Sequence, residues 1–342
     1  MIKRIKILAT GALLLAGLGA CSPSGKKTGA DSTVDTLRTA ETVNLLNNLR
    51  KVPTQGIMFG HHDDPLYGVG WEGDEDRSDV KSVCGDYPAV MSFDLGHIEL
   101  EREKSLDNVP FRKIRQETIN QYKRGGVVSF SWHLDNPLTG KDAWDVSDTT
   151  VVASILPGGV HHAKFISWLD AVAAFMNTLE TEEGTKIPVI FRPWHEHTGS
   201  WFWWGQNLCT ADQYKALWRM THDRMHARGV KNLLYAYSPG SEPKDSTAYL
   251  ERYPGDDIID LVGFDTYQFD RTQYMEQLDK SLAILTEVGK AHDKPIAITE
   301  TGFEAIPDSV WWTQTLYPVI SKYPISYVSV SYTHLTLPTN RE

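Results

Sequence analysis

The feature that most constrains this fold is a repeated alternation of short apolar runs with helix-length segments. Apolar runs of strand character occur at residues 56–62, 88–96, 126–133, 188–196, 232–239, 259–267, 295–302 and 325–331. Segments long enough for helices lie between them, for example at 110–124, 161–180, 210–228, 273–292 and 309–322. Near-continuous apolar strands that alternate with helices predict a parallel sheet buried on both faces.

Eight such units in a chain of 342 residues favour an α/β fold of the (β/α)8 TIM barrel type over an open doubly wound sheet. The open sheet would need a glycine-rich phosphate turn after an early strand, whereas Gly125 and Gly126 stand at the start of their run. No composition shift marks an internal boundary, so we predict one domain over residues 38–342.

The end of the chain departs from this pattern. The tail beyond Ser331 has no apolar helical period and ends before an eighth helix can form. We therefore expect a truncated eighth βα unit, with roughly the last ~14 residues, from about Ser329, foreign to the fold. A barrel without its last helix would leave an uncovered apolar seam.

The N-terminus reads as a lipoprotein signal peptide over residues 1–21. Basic residues precede an apolar run that is too short to span a bilayer, and the run ends in LGAC, which predicts lipidation of Cys21. An ordinary signal peptide is the alternative. Residues 22–37 are rich in Ser, Gly and Lys and predict a flexible tether. We expect a bacterial lipoprotein held at a membrane by this anchor, in the periplasm or at the outer membrane.

Charge and cysteine content limit the partners. The net charge of −10, without a basic cluster after the first residues, argues against nucleic acid. Cys84 and Cys209 remain after processing, and the sequence leaves open whether they pair or stay free. No CxxC, HExxH or comparable cluster is present, so no metal site is indicated.

Polar and aromatic residues gather where the apolar runs stop, which is the end of a barrel strand that carries function. They are His61, His62, Asp94, His97, Glu99, Trp132, His133, His195, Glu196, Tyr237, Asp265, Tyr267 and Glu300. Glu196 closes the fourth run and Glu300 the seventh, so on a closed barrel the two carboxyl groups face each other across the mouth. Such a pair can cleave a glycosidic bond. A structural ion pair is the alternative for either glutamate alone.

Four motifs resemble glycoside hydrolase family 26. They are RPWHEHTGSWFWWG at 192–205, ITETG at 298–302, SWH at 131–133 and GFDTY at 263–267, and the resemblance extends over residues 41–327. It implies a (β/α)8 barrel of a clan of retaining glycosidases, with endo-β-1,4-mannanase as the commonest activity.

The resemblance also implies roles for particular residues. Glu196 matches the acid/base and Glu300 the nucleophile, and His195 stands where related families carry an asparagine. Tyr267 is similar to a strand-six tyrosine that hydrogen-bonds the nucleophile, although a buried tyrosine bonded within the core is the alternative. Arg192 precedes Glu196 by four residues, which predicts the same strand face and an ion pair that keeps Glu300 ionised.

Several further residues are candidates for contacts with a sugar. His133, His195 and Asp265 are expected to hydrogen-bond hydroxyl groups, which suits single imidazoles better than a metal. The aromatic tail at 201–204 suits a stacking platform, with Trp201 as the leading residue and Trp204 as a second. At least one of the four aromatic residues should point inward.

Loops on the same face supply further aromatic candidates. Trp71, in the loop at 68–79, is expected to line a subsite, and Trp132 and Trp144 are further candidates.

The carboxyl pair predicts a glycosidase without a cofactor, and the resemblance implies that it acts on β-mannan-type polysaccharide or oligosaccharide. We expect a monomer. A β-1,3-xylanase or mixed-linkage β-glucanase of the same family remains an alternative, because one contact to the 2-hydroxyl group separates mannose from glucose. A non-catalytic glycan-binding lipoprotein is the alternative from another class.

Overall fold

A computed structural model describes residues 38–331 as a closed barrel of eight parallel strands. The strands are β1 (Met58–His62), β2 (Val90–Asp94), β3 (Val127–Ser131), β4 (Val189–Arg192), β5 (Leu233–Tyr237), β6 (Leu261–Tyr267), β7 (Ile296–Gly302) and β8 (Tyr327–Val330). Each strand pairs with its neighbour in the chain, and β8 pairs with β1 to close the barrel. The prediction of a (β/α)8 barrel is confirmed.

Helices follow the strands on the outside of the barrel. They are α1 (Ala40–Lys51), α2 (Asp79–Cys84), α3 (Phe111–Lys123), α4 (Val151–Ile155), α5 (His162–Asn177), α6 (Ala211–Ala227), α7 (Ser246–Leu250), α8 (Arg271–Ala291) and α9 (Tyr317–Ile320). A π-helical turn, Trp312–Leu316, precedes α9, and 3-10 turns occupy Val52–Thr54 and Ile98–Leu100. A hairpin of Tyr67–Gly68 and Trp71–Glu72 follows β1. Between residues 38 and 331, none of the helices has the length and apolar character needed to cross a bilayer.

Burial on both faces explains why the strands are apolar throughout. Every residue of β2, β3, β4 and β5 is buried, because one strand face lines the barrel interior and the other packs under the helices. Helix starts are fixed locally: Thr210 and Gln213 form a reciprocal capping box before α6, and the Asp270 side chain accepts the Gln273 N–H at the start of α8. Strands and helices therefore end at defined residues, which positions the loops at the barrel mouth.

The expectation that the chain is atypical from about Ser329 is wrong for its first two residues. Ser329 pairs with Gly60 and Val330 with His61, and the Ser329 hydroxyl shares a 2.8 Å hydrogen bond with the Ser92 hydroxyl. All four residues of β8 are buried and it pairs with both neighbouring strands, so the eighth strand is complete. Residues 332–342, on which the rest of that prediction depends, lie outside the described residues.

The N-terminal predictions also lie outside the described residues, since the signal peptide, Cys21 and the tether all precede residue 38. The two remaining cysteines are free: Cys84 is exposed at the end of α2, and Cys209 is buried before α6.

Candidate active site

Strands β4, β6 and β7 bring charged groups together at the barrel mouth. Arg192, the last residue of β4, forms ion pairs with Asp265 at 2.6 Å and with Glu300. The Tyr267 hydroxyl donates a hydrogen bond to the other oxygen of Glu300. The nucleophile candidate therefore accepts from a cation and a phenol, both of which favour its ionised form.

Asp265 is buried too deeply to bind sugar, which corrects the prediction that it contacts substrate, and Arg192 is equally buried. The predicted ion pair of Arg192 with Glu300 is present. Asp265 Oδ1 also accepts the Thr299 hydroxyl at 2.7 Å. An arginine in a low-dielectric interior needs carboxylate partners, and Asp265 supplies one that is independent of Glu300. Arg192 therefore acts through Glu300, whereas Asp265 acts through Arg192 and through its own negative charge.

Glu196 lies in the loop after β4, at the same mouth. Its side chain is half-buried, and Oε2 accepts the Trp201 indole N–H at 2.7 Å. Trp194 and Glu196 have left-handed backbone angles, with φ of 58° and 51°, and the Glu196 N–H donates to the Ser238 carbonyl at 2.8 Å. The strand-parity argument that linked Arg192 to Glu196 is therefore wrong, because the strand ends at Arg192 and the loop sets the direction of Glu196.

The two glutamates have opposite electrostatic environments. Burial raises the pKa of Glu196 well above the usual glutamate range, and the negative charges of Asp265 and Glu300 raise it further. Burial also acts to raise the pKa of Glu300, but the positive charges of Arg192 and His62 and the Tyr267 hydrogen bond outweigh it and lower that pKa. One carboxyl group is thus kept protonated and the other ionised, which is the division of labour that acid/base and nucleophile need.

A hydrogen-bonded chain runs from Asp94 through His133 to His195. His133 Nδ1 donates to Asp94 Oδ2 at 2.7 Å, and the two imidazole Nε2 atoms share a bond of 3.0 Å. Burial acts to lower the pKa of His133, but the charge of Asp94 raises it. Burial and the charge of Arg192 lower the pKa of His195 well below the usual histidine range, so it stays neutral. His195 is buried beneath His133, which corrects the prediction of a direct sugar contact.

Of the four aromatic residues at 201–204, one is exposed. Trp201 is 41% exposed beside Glu196, whereas Phe202, Trp203 and Trp204 are buried. The Trp204 indole N–H donates to the His195 carbonyl at 2.8 Å and its ring stacks on Phe202. Trp204 therefore packs in the core and does not form the second platform that we expected.

Trp71 is also buried, contrary to its prediction as a subsite residue. Its indole N–H donates to Asp79 at 2.7 Å, and the Arg77 guanidinium lies 4.9 Å from its ring. Trp132 is buried and donates to Glu99 at 3.0 Å. Trp144 remains partly exposed and stacks on His133 with ring centroids 5.4 Å apart.

Sequence reasoning left one polar cluster of the mouth unassigned. His62 at the end of β1, Asp63 directly after it, and Asp107 in the loop after β2 place one ligand atom each within 4.8 Å of one another. Burial acts to lower the pKa of His62, but the charge of Asp63 raises it to about 9. Protonated His62 pairs with Asp63 at 3.3 Å, so a cation could bind only after His62 loses its proton. The adjacent histidines at a strand end were the available signal.

The sequence profile of glycosyl hydrolase family 26 matches residues 34–317. The structure is similar to that of a GH26 β-mannanase from Bacteroides ovatus, BoMan26A, with a TM-score of 0.86 and 61% sequence identity over 89% of this chain and 90% of that one. A mannan endo-1,4-β-mannosidase of Bifidobacterium adolescentis is 35% identical over 87% of this chain and 31% of its own length.

A second curated relative, mannan endo-1,4-β-mannosidase A and B of Caldalkalibacillus mannanilyticus, is 27% identical over 82% of this chain and 52% of its own length. The chain thus spans about a third to a half of these two relatives. The profile match nevertheless covers most of the chain and includes every residue of the site described above. This chain belongs to glycosyl hydrolase family 26.

Proposed function

We propose that this chain is a retaining endo-β-1,4-mannanase in which Glu196 is the acid/base and Glu300 the nucleophile. The observation that carries the proposal is the opposite polarisation of two carboxyl groups at one barrel mouth, with the pKa of Glu196 raised and that of Glu300 lowered. The substrate class is supported by the relatives, which are named mannan endo-1,4-β-mannosidases.

The reaction proceeds in two displacements. The ionised carboxylate of Glu300 attacks the anomeric carbon while the proton of Glu196 passes to the leaving oxygen, so the glycosidic bond breaks and a glycosyl ester of Glu300 forms. Loss of the Glu300 charge removes one influence that raises the Glu196 pKa. Glu196 then takes a proton from water, whose oxygen attacks the same carbon and releases Glu300.

Arg192 and Asp265 keep this cycle electrostatically balanced. When Glu300 becomes an ester it no longer carries charge, and a buried arginine with no other partner would be costly. The 2.6 Å ion pair with Asp265 persists through the cycle, so Arg192 stays in place and receives Glu300 again when the ester is hydrolysed.

Trp201 marks the side of the leaving group. Its indole N–H contacts the carboxyl group of Glu196, which must lie beside the leaving oxygen, and its ring is exposed next to that group. Aromatic rings stack on the C–H faces of pyranoses. Trp201 is therefore the platform for the sugar unit that leaves.

The cellular setting is proposed from sequence alone. The LGAC motif supports lipidation of Cys21 and a monomeric enzyme tethered in the periplasm or at the outer membrane. The net charge of −10 is compatible with an uncharged polysaccharide.

The test is product analysis with mannohexaose, cellohexaose, a mixed-linkage β-glucan and a β-1,3-xylan. We expect cleavage of mannohexaose that Glu300→Ala abolishes and that the control Glu304→Ala, an exposed glutamate in the next loop, retains. Preferred cleavage of glucan or xylan would reassign the substrate. Binding without cleavage of any oligosaccharide would establish a glycan-binding protein.

The role of Glu196 is tested with leaving groups of different basicity. Glu196→Ala should lose activity on mannohexaose but retain it on an aryl mannobioside whose phenolate needs no protonation. Equal losses on both substrates would contradict its role as the acid.

A further inference from the structure

One aromatic ring on the catalytic face is almost fully exposed. Phe269, just after β6, is 97% exposed, the highest value among the large apolar residues of the described chain. Single exposed apolar residues are common, so exposure alone implies nothing. Phe269 differs from other exposed apolar residues in two ways: hydrogen bonds fix the residues on both sides of it, and it lies close to the nucleophile.

The residues on both sides of Phe269 are fixed. The Gln268 N–H donates to the Gly302 carbonyl at 2.8 Å, and the Gln268 side chain accepts the Trp311 indole N–H at 2.8 Å. On the other side, the Asp270 carboxylate caps α8. The exposed ring therefore lies on a turn whose backbone is fixed on both sides. Little conformational entropy of the protein is lost when a ligand stacks on it.

The turn adjoins the nucleophile. Tyr267, which hydrogen-bonds Glu300, precedes Phe269 by two residues, a separation of no more than about 7 Å along an extended chain. Gln268 and the end of β7, which carries Glu300, are joined by the backbone bond to Gly302. Phe269 therefore stands at the rim of the same cleft.

The contacts between loops place that rim on the side of the acid. The loops after β4 and β5 are linked by the Thr198 hydroxyl, which donates to Glu242 at 2.6 Å and accepts from the Gly240 N–H. Gly240 in turn bridges to Asp265 on β6. The loops from Glu196 to Phe269 are thus connected over the three neighbouring strands β4, β5 and β6. The His62 cluster lies at the ends of β1 and β2, on the opposite side of the barrel mouth.

We propose that Phe269 is a stacking platform for a sugar unit on the leaving-group side of the cleaved bond, farther from the bond than the unit at Trp201. The inference rests on the proposed function for the identity of the glycan. A single ring flanked by Gln268, Asp270 and Arg271 matches the apolar face of one pyranose. It lacks the contiguous apolar area of several hundred Å² that marks a protein interface.

Binding is measured by calorimetry with mannobiose and mannohexaose, in a Glu300→Ala background that prevents turnover. Phe269→Ala should weaken mannohexaose binding about five- to tenfold, while Phe269→Trp retains it. Mannobiose can occupy two units away from Phe269, so its affinity should fall less than that of mannohexaose. Tyr317→Ala is the matched control, because Tyr317 is 61% exposed on the outer helix α9.

Turnover provides the second readout, with otherwise unmodified enzyme and reducing-end-labelled mannopentaose. Loss of an outer platform on the leaving-group side should shift cleavage towards the labelled end, giving shorter labelled products. An affinity and a product pattern in Phe269→Ala that match those of Tyr317→Ala would overturn the inference. If the wild-type chain cleaves no mannan oligomer, the proposed function fails, and the binding comparison alone decides the role of Phe269.

Discussion

Replacement of Tyr267 by Phe isolates one of the contacts that keep Glu300 ionised. The substitution removes the hydroxyl that donates to Glu300 and leaves the Arg192 ion pair in place. A hydrogen bond to a charged group is worth about 1.5 to 3 kcal/mol, and Glu300 is only 12% exposed, so solvent replaces little of it. The pKa of Glu300 therefore rises in the variant.

The sign of the pH effect follows from the roles of the two carboxyl groups. Catalysis requires Glu300 ionised, so its titration sets the acidic limb of the kcat/KM profile, and the titration of Glu196 sets the alkaline limb. In Tyr267→Phe the acidic limb should move to higher pH, with kcat/KM about ten- to a hundredfold lower on that limb. The alkaline limb should stay, because Glu300 is still charged there.

The assay is kcat/KM for mannohexaose as a function of pH, with Tyr274→Phe as the control. Tyr274 is a buried tyrosine whose hydroxyl shares a 2.6 Å bond with Thr301 next to Glu300, but it does not touch the carboxylate. Its loss should lower stability and leave both limbs in place. An acidic limb that is the same in wild type and Tyr267→Phe would refute the reasoning, as would an equal shift in the control.

Three further substitutions test other contacts. Asp94→Asn should lower the pKa of His133, followed by NMR of the imidazole protons; an unchanged titration would exclude Asp94 as its cause. Trp204→Phe should lower the free energy of unfolding by about 1 to 3 kcal/mol, since it leaves a cavity and an unpaired His195 carbonyl; wild-type stability in denaturant would contradict its core position. The pKa of His62 is about 9 in the folded protein and 6.5 in the unfolded chain, so protonation of His62 stabilises the fold by about 3 kcal/mol below about pH 6.5. This contribution is lost as the pH rises through 9. In denaturant titrations from about pH 6 to 10, the free energy of unfolding of His62→Gln should lack this pH-dependent contribution.

The barrel could be predicted because burial acts on every strand in the same way. An apolar run bounded by polar residues is a property of the chain itself, and all eight runs became strands. Their ends were less predictable: the run at 188–196 yields a strand of only Val189–Arg192. The strand ends just before Trp194 and Glu196, which have left-handed backbone angles. Tryptophan and glutamate rarely adopt that conformation, so the sequence does not predict it.

The aromatic residues show where sequence reasoning failed. Trp201 and Trp204 are chemically identical and three positions apart, yet one is 41% exposed and the other is sealed beneath Phe202. Tryptophan suits both a core and a sugar platform, so composition does not separate them. Only the packing of the loop after β4 decides which ring faces the cleft. The His62 cluster could not be predicted for a similar reason: loop packing, which the sequence does not reveal, brings Asp107 next to His62 and Asp63.

Glu196 and Glu300 have different roles because Arg192 pairs with Glu300 and Asp265 but not with Glu196. Both carboxyl groups are largely removed from solvent, and this desolvation acts to raise the pKa of each. Arg192 donates to Glu300 and Asp265, and the contact of Glu196 is with the neutral indole of Trp201. Asp265 thus does two things: it keeps Arg192 in the interior, and its own negative charge raises the pKa of Glu196. A residue with no access to substrate therefore helps to determine which glutamate carries the proton.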